Sequence, residues 1–195
     1  MRKNGKNRLL AKKRIIALAA LLCAGLLFGC KGNSPETPSE PVPEEITVEG
    51  QKFVLTFHDE FDGKKLDREK WNYCPMWERG NIGGFWDGNC VKLDGGHLVL
   101  TALLDGDGVP HSGAIRSKGL FEQAKGYFTA RCKLQKAHGL WSAFWLMCDG
   151  AKNVGHGAID GAEIDVFESY NIDRGAINHA IHYDGYDADH QSWVT

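Results

Sequence analysis

The chain has 195 residues, which is enough for one domain of ordinary size, and 43% of them are hydrophobic, so a substantial core is expected. Its 23 basic and 25 acidic side chains nearly balance, but residues 1–29 hold seven of the basic ones and none of the acidic ones. Without those residues, 16 basic and 25 acidic side chains remain, a net charge of −9. This charge argues against nucleic acid as a partner, because phosphate binding needs a basic surface.

The N-terminus has the pattern of an export signal. Seven basic residues lie within positions 2–14, and residues 15–29 form an apolar run shorter than the ~20 residues that span a membrane. Residues 1–29 are therefore predicted to be a signal peptide. The Leu-Phe-Gly-Cys sequence at positions 27–30 resembles the lipobox of bacterial lipoproteins, which implies cleavage before Cys30 and lipid attached to it. The alternative is an ordinary signal peptide followed by an incidental cysteine.

Residues 30–46 are polar and contain four prolines, which predicts a linker between the lipid and a folded domain. The folded domain is predicted to cover residues 47–195. Together these segments predict an exported protein that is anchored through its N-terminal lipid to a bacterial membrane, in the cell envelope. The domain itself is expected to be monomeric.

Short strands separated by turns are predicted from residue 47 onward, with no long amphipathic helix. Residues 90–93 and 97–102 flank the turn at 94–96 and predict a hairpin. Several short strands at regular spacing indicate an all-β sandwich. The other strand candidates are residues 53–57, 126–134, 141–147, 161–169 and 177–183.

Four cysteines follow the linker: Cys74, Cys90, Cys132 and Cys148. Export permits disulfides, and a Cys74–Cys90 bond would close a loop. For Cys132 and Cys148, buried thiols in strands are an equal alternative. None of the spacings is typical of a zinc site.

Three carboxylates lie within six residues of the strand candidate at 161–169. On a regular strand, Glu163 and Asp165 point to the same face and Glu168 points to the opposite one. An extra residue in a β-bulge at Val166-Phe167 would return Glu168 to the first face. Two carboxylates on one face are the pair that glycosidases use.

The chain resembles glycoside hydrolase family 16, and several ordered motifs carry the resemblance. They are residues 57–63 with Leu66-Asp67 and Trp71, then 113–118, 126–131, 139–147, and the run Glu163-Ile164-Asp165-Val166-Phe167-Glu168. The resemblance implies a concanavalin-like jelly-roll β-sandwich. The bulged form of the carboxylate motif is typical of the laminarinase and galactanase branches. The family domain continues for several strands beyond the active site, so an incomplete C-terminus is expected.

The resemblance also implies a function and roles. We expect a retaining endo-glycoside hydrolase that cleaves a β-linked polysaccharide, with β-1,3- or mixed β-1,3/1,4-glucan favoured and galactan or O-glycan left open. Glu163 would be the nucleophile, Glu168 the acid/base and Asp165 the assisting residue. The alternatives are a non-catalytic carbohydrate-binding lipoprotein, an inactive fragment, and a metal-binding lipoprotein that uses histidines and aspartates within residues 179–190.

Five other residues are candidates for substrate contact. One of Trp141 and Trp145, which share strand parity, is expected in the cleft and the other in the core. Trp86 would form a cleft edge, with a packed loop aromatic as the alternative. Arg116 would bind sugar hydroxyls or make a surface salt bridge, and His182 would contact substrate.

No cofactor is expected to be required and no metal site is predicted. A structural calcium ion is known in many family members and would use Glu60 in the opening segment. It is not predicted here, because another of its usual ligands would lie beyond Thr195.

Overall fold

A computed structural model describes residues 41–76, 83–170 and 175–195. Pro43–Thr195 forms one compact unit. The regular secondary structure of its described residues consists of β-strands and two short 3-10 helices, Gly88–Cys90 and Asp149–Lys152, which confirms the predicted all-β class. The strands are β1 (Glu45–Val48), β2 (Gln51–Val54), β3 (Asn72–Tyr73), β4 (Phe85–Trp86), β5 (Val91–Asp94), β6 (His97–Leu100), β7 (Ala102–Leu104), β8 (Pro110–Ser112), β9 (Ile115–Arg116), β10 (Ser142–Met147), β11 (Glu163–Ser169), β12 (Asn178–Tyr183) and β13 (Gln191–Val194).

These strands pair into small sheets, of which the largest in the described part of the chain has the order β10-β11-β12-β13 and is antiparallel throughout. The other sheets have the orders β1-β2, β3-β9, β4-β8-β7 and β5-β6. Strand β1 begins at Glu45, two residues before the predicted domain boundary at 47. The four-stranded sheet carries the carboxylates, and we call it the site sheet.

The hairpin predicted between residues 90 and 102 is present as β5 and β6. Gly95 and Gly96 connect the strands with φ angles of 59° and 76°. A two-residue turn with both φ angles positive matches the twist of the flanking strands, and glycine enters it without steric cost.

Two predicted strands differ in the structure. β2 ends at Val54, so the strand expected over 53–57 stops three residues early. Residues 126–134 belong to no ladder, so that prediction was wrong. Alternating apolar residues indicate which side chains point toward the core. They do not show whether the backbone has a neighbouring strand to form hydrogen bonds with, which a β-strand also requires. Ala130, Cys132 and Leu134 instead line an apolar recess with Phe167 and Ile177.

An aromatic cluster organises the opening motif. The rings of Phe57 and Phe121 stack at 4.6 Å, and Trp71 meets Phe57 edge-on at 5.3 Å. The Trp71 indole Nε1 donates to Asp59 Oδ2 at 2.8 Å, which satisfies its polar atom inside an apolar cluster. Leu66, five residues before Trp71, is buried.

The cysteines depart from the expectations. Cys74 and Cys90 are buried, and the four cysteines form no disulfide with one another in the described residues. Cys132 and Cys148 are exposed rather than buried in strands, so the alternative offered for them was wrong. Cys148 follows β10 directly and Cys132 lies in the segment that has no ladder.

The predicted signal peptide at residues 1–29 and the lipid attachment site at Cys30 lie outside the described residues. Among the residues that are described, no helix has the length and apolar character needed to cross a membrane.

Candidate active site

A β-bulge interrupts β11 at the predicted position. Asp165 is opposite Ala180 on β12, and Glu168 is opposite Asn178, so Val166 and Phe167 together face the single residue His179. The His179 imidazole Nδ1 donates to the Val166 carbonyl at 2.6 Å, which provides a partner for a backbone group that the bulge displaces.

The bulge places all three carboxylates on one face of the site sheet. Residues directly opposite each other on antiparallel strands share a face. Glu163 is opposite Met147, Asp165 is opposite Trp145 and Glu168 is opposite Ala143. Since these β10 residues alternate along an uninterrupted strand, their three partners lie on the same face as well.

Asp165 is the most buried of the three, with 3% of its surface exposed. Its pKa is raised to about 7, mainly by burial and to a smaller extent by the negative charges of Glu168 and Glu163. Its Oδ2 atom lies 3.3 Å from His182 Nε2, which is within ion-pair distance. The contact lacks hydrogen-bond geometry, so Oδ2 has no hydrogen-bond partner among the described residues. A proton on this carboxyl group fits that environment.

Glu168 accepts a hydrogen bond from the Trp141 indole Nε1 to its Oε1 atom at 2.6 Å. Its pKa is raised by burial and by the charge of Glu163, and the Trp141 bond and the charge of His182 oppose that rise. Glu168 therefore stays protonated to a higher pH than an ordinary glutamate, as a general acid requires.

Glu163 accepts a hydrogen bond at Oε2 from the hydroxyl of Tyr186. Burial, followed by this bond and the charge of Glu163, raises the pKa of Tyr186, so the phenol stays protonated and remains a donor. Tyr186 was not among the predicted site residues. The signal that could have identified it is the Asp-Gly turn after β12, where Asp184 and Gly185 have positive φ angles.

Tryptophans border the carboxylates on the same face. The Trp145 ring lies 6.4 Å from that of Trp86 and is 36% exposed. The Trp141 ring lies 4.8 Å from that of Tyr170 and is 50% exposed. The expectation that one of Trp141 and Trp145 lies in the core is wrong, since both are partly exposed beside the carboxylates. Trp86, on β4, contacts the Trp145 ring.

The chain was compared with models of known protein families. The model of glycosyl hydrolases family 16 matches residues 72–195, a range that contains the whole site sheet. The chain belongs to glycoside hydrolase family 16. The predicted jelly-roll fold class is confirmed by this membership and by the solved structures that share the fold.

Two curated relatives are named as glucan endo-1,3-beta-glucosidases. Glucan endo-1,3-beta-glucosidase A1 of Niallia circulans is 28% identical over 170 residues, covering 76% of this chain. Glucan endo-1,3-beta-glucosidase of Cryptopygus antarcticus is 32% identical over 105 residues, covering 49% of this chain. The chain spans 24% and 38% of the length of these two relatives.

Solved structures agree with the family assignment. The endo-beta-1,3-glucanase from Pyrococcus furiosus superposes with a TM-score of 0.58 at 25% identity, covering 79% of this chain and 64% of that one. A Bacteroides ovatus family 16 protein from a mixed linkage glucan locus, in complex with a G4G4G3G product, gives 0.52 at 30% identity, covering 70% and 61%.

Arg116 and His182 were also predicted to contact substrate. His182 lies on β12 opposite Glu163, on the carboxylate face. Arg116 lies on β9, outside the site sheet. Its Nε atom is buried and has no hydrogen-bond partner among the described residues. The structure therefore brings His182, but not Arg116, into contact with the carboxylates.

Metal-ligating side chains do not converge in the described part of the chain, where no group of three or more histidine, cysteine, aspartate or glutamate side chains could hold an ion. The polar residues within 179–190 have separate partners: Asp184 accepts from the backbone of His156 and Gly157, and His182 contacts His190. Glu60 lies 3.9 Å from the His58 ring.

The raised pKa of Asp165 makes stability depend on pH. Between its ordinary value of 3.8 and about 7, the folded protein keeps a proton that the unfolded chain has lost, so stability falls as pH rises through this window. We expect Asp165→Asn to remove this fall. Relative to the unmodified protein, the variant should gain stability between about pH 4 and pH 8 in urea unfolding.

Asp107→Asn, in an exposed turn, is the matched control and should leave the pH dependence unchanged. Parallel stability curves for the unmodified protein and Asp165→Asn across the same pH range would contradict a buried, neutral Asp165.

Proposed function

We propose that this protein is a retaining endo-glycoside hydrolase that cleaves internal linkages of a β-linked polysaccharide, with β-1,3-glucan or mixed β-1,3/1,4-glucan as its substrate. The observation that carries the proposal is the pair of glutamates on one face of a bulged strand, with the buried Asp165 between them. The glucanases among its relatives support the choice of substrate.

In the proposed reaction, Glu163 attacks the anomeric carbon and forms a covalent glycosyl-enzyme, while Glu168 protonates the departing glycosidic oxygen. Glu168 then removes a proton from water, which attacks the same carbon and releases Glu163. The environment of each group fits its role. Tyr186 donates to Glu163, which stabilises its carboxylate, and burial favours the protonated form of Glu168.

The exposed aromatic rings on the carboxylate face are proposed to bind the sugar chain. Sugar rings present apolar C–H faces that stack on aromatic side chains. Trp145 and Trp86 border Asp165 on one side, and Trp141 with Tyr170 lies beside Glu168. The bulge supports placing the chain in the laminarinase-like branch of the family, within which galactan and O-glycan are the other substrate classes.

Digestion of purified polysaccharides tests this function. We expect release of oligosaccharides from laminarin or lichenan, with a rapid fall in viscosity because internal linkages are cleaved. Release from agarose or a mucin O-glycan alone would replace glucan with the other substrate classes. Binding to laminarin without release of reducing ends would favour the carbohydrate-binding lipoprotein instead.

Trp141→Phe tests how the indole tunes Glu168. Its Nε1 bond opposes the raised pKa of Glu168, so loss of the bond should raise that pKa further. Because the acid must be protonated, the alkaline limb of kcat/KM is expected to move to higher pH. Trp193→Phe is the matched control, since Trp193 on β13 is 62% exposed and lies on the other face of the site sheet. It is opposite Ile181, which is opposite Ile164, and Ile164 points away from the carboxylate face. A limb that stays in place or moves to lower pH would contradict the role of the bond.

The protein is also proposed to be lipid-anchored through Cys30, which agrees with the signal pattern of residues 1–29 and the proline-rich residues that follow. We expect Cys30→Ser to abolish labelling by a radiolabelled fatty acid in a bacterial host and to release the protein from the membrane fraction. Cys132→Ser is the control and should keep both the label and the fractionation. A label that survives Cys30→Ser would contradict the anchor.

A further inference from the structure

A second histidine extends the site away from the carboxylates. His182 Nδ1 lies 2.9 Å from His190 Nε2, and the two rings stack at 5.1 Å with 23° between their planes. The other nitrogen of His182, Nε2, faces Asp165 Oδ2 at 3.3 Å. Asp165, His182 and His190 therefore form a continuous row that leads from the buried carboxyl group to the half-buried His190.

The backbone fixes both ends of this row. His182 lies on β12, and its diagonal position across the ladder directs its ring toward Asp165 on β11. His190 immediately precedes β13, and its N–H donates to the Asp187 carbonyl at 3.2 Å, which closes the turn that places the ring. The Tyr186 ring lies 5.6 Å from His190, so the residue that donates to Glu163 also packs against the end of the row.

Only one of the two facing imidazole nitrogens carries a proton. Two nitrogens 2.9 Å apart form a hydrogen bond only if one donates and the other accepts. If His182 Nδ1 donates, a neutral His182 presents a bare Nε2 to Asp165, which suits a protonated carboxyl group. If His190 Nε2 donates, His182 carries its proton on Nε2, which suits an ionised Asp165. The choice of donor is therefore linked to the charge of Asp165.

We propose that His190 is a positioning residue, which fixes the ring and tautomer of His182 and thereby sets the charge of Asp165. The two arrangements interconvert by a balanced transfer. The His182 ring first turns so that Nε2 and Asp165 Oδ2, 3.3 Å apart, are aligned for a hydrogen bond. One proton then passes from Asp165 to His182 Nε2, while the proton on His182 Nδ1 passes to His190 Nε2. Asp165 becomes a carboxylate, His182 stays neutral and His190 becomes an imidazolium. No other reactant is needed.

The charge of Asp165 matters because three ionisable groups respond to it. Glu163 and Glu168 lie on the same strand as Asp165, and their charges raise the pKa of Asp165. An ionised Asp165 therefore repels a negative charge on either glutamate. Tyr186, in the loop between β12 and β13, is affected in the same direction. With the proposed function, a proton held on Asp165 would lower the pKa of Glu168 and bring the alkaline limb of activity to lower pH.

Two substitutions at His190 separate its nitrogen from its ring. His190→Phe keeps a ring that stacks on His182 but removes the hydrogen bond. His190→Gln keeps a polar group that can donate or accept. We expect His190→Phe to shift the alkaline limb of kcat/KM to lower pH by at least ~0.5 unit, with KM nearly unchanged. In His190→Gln the limb should stay close to its position in the unmodified protein. His97→Phe, on the β5–β6 hairpin, is the matched control.

Nitrogen NMR of the histidine rings tests the same contact without any substrate. In the unmodified protein we expect a nitrogen–nitrogen coupling across the hydrogen bond between His182 and His190. His182→Gln assigns the signals. His190→Phe should change the tautomer of His182, and His97→Phe should not.

This readout distinguishes the proposal from the proposed function. A protein that cleaves no glycan but shows the coupling would leave the role of His190 in place and remove the hydrolase. A protein that cleaves laminarin but shows no coupling, with the His182 tautomer and the pH profile unchanged in His190→Phe, would overturn the role of His190 alone.

Discussion

Glu163→Gln is expected to lower kcat/KM for laminarin by at least ~10³-fold while the fold is retained. The amide cannot attack the anomeric carbon, yet its oxygen can still accept the hydrogen bond from Tyr186, so the local structure should persist. Initial rates of reducing-sugar release give the activity, and thermal unfolding gives the stability. Glu45→Gln is the matched control, because Glu45 lies on β1 and loses only an exposed ion pair with Lys52.

Rescue by azide sharpens the assignment. In Glu163→Ala, azide can take the place of the missing carboxylate and attack the anomeric carbon from the face opposite the leaving group. The expected product from a β-glycoside is an α-glycosyl azide, which NMR identifies. Wild-type activity of Glu163→Gln, or a β-glycosyl azide from Glu163→Ala, would remove Glu163 from the role of nucleophile.

Glu168→Gln is expected to show a loss that depends on the leaving group. A sugar hydroxyl needs a proton as it departs, so hydrolysis of laminarin should fall by ~10²–10⁴-fold. A dinitrophenolate leaves without a proton, so the first step with a dinitrophenyl β-glycoside should be nearly unaffected. The Trp141 indole can still donate to the amide oxygen, which should keep the side chain in place. Stopped-flow release of dinitrophenol measures the first step separately.

The pH profile gives a second measure of the same role. The unmodified protein should lose activity on the alkaline side as Glu168 loses its proton, at a pH above the ordinary glutamate value because its pKa is raised. Glu168→Gln should lack that limb, and Glu45→Gln should keep it. Equal losses with laminarin and with the dinitrophenyl glycoside would contradict an acid/base at Glu168.

The active-site strand was predictable to a large degree. The parity of Glu163, Asp165 and Glu168 required a bulge, and the pairing around Val166 and Phe167 contains one. Parity was predictable because side-chain direction along a strand depends only on local backbone geometry. The hairpin of β5 and β6 was predictable for the same reason, since its Asp-Gly-Gly turn is local.

Features that depend on distant neighbours were not predictable. Residues 126–134 alternate like a strand, but the sequence carries no information on which segment lies beside them. Trp141 and Trp145 share a face, yet their burial depends on Tyr170 and Trp86, which come from other segments. Tyr186 and His190 reach the site through a loop whose path is set by tertiary contacts, so neither was identified as a site residue.

Trapping of the covalent intermediate tests the central claim most directly. A dinitrophenyl 2-deoxy-2-fluoro-β-laminaribioside should inactivate the protein. The fluorine slows both steps, but the good leaving group speeds the first, so the glycosyl-enzyme accumulates. Peptic digestion and mass spectrometry should then place one fluoroglycosyl group on Glu163, with no label in Glu163→Gln. A label on Glu168 or elsewhere, or hydrolysis of laminarin that proceeds with no trapped adduct and with inverted anomeric configuration, would contradict the account.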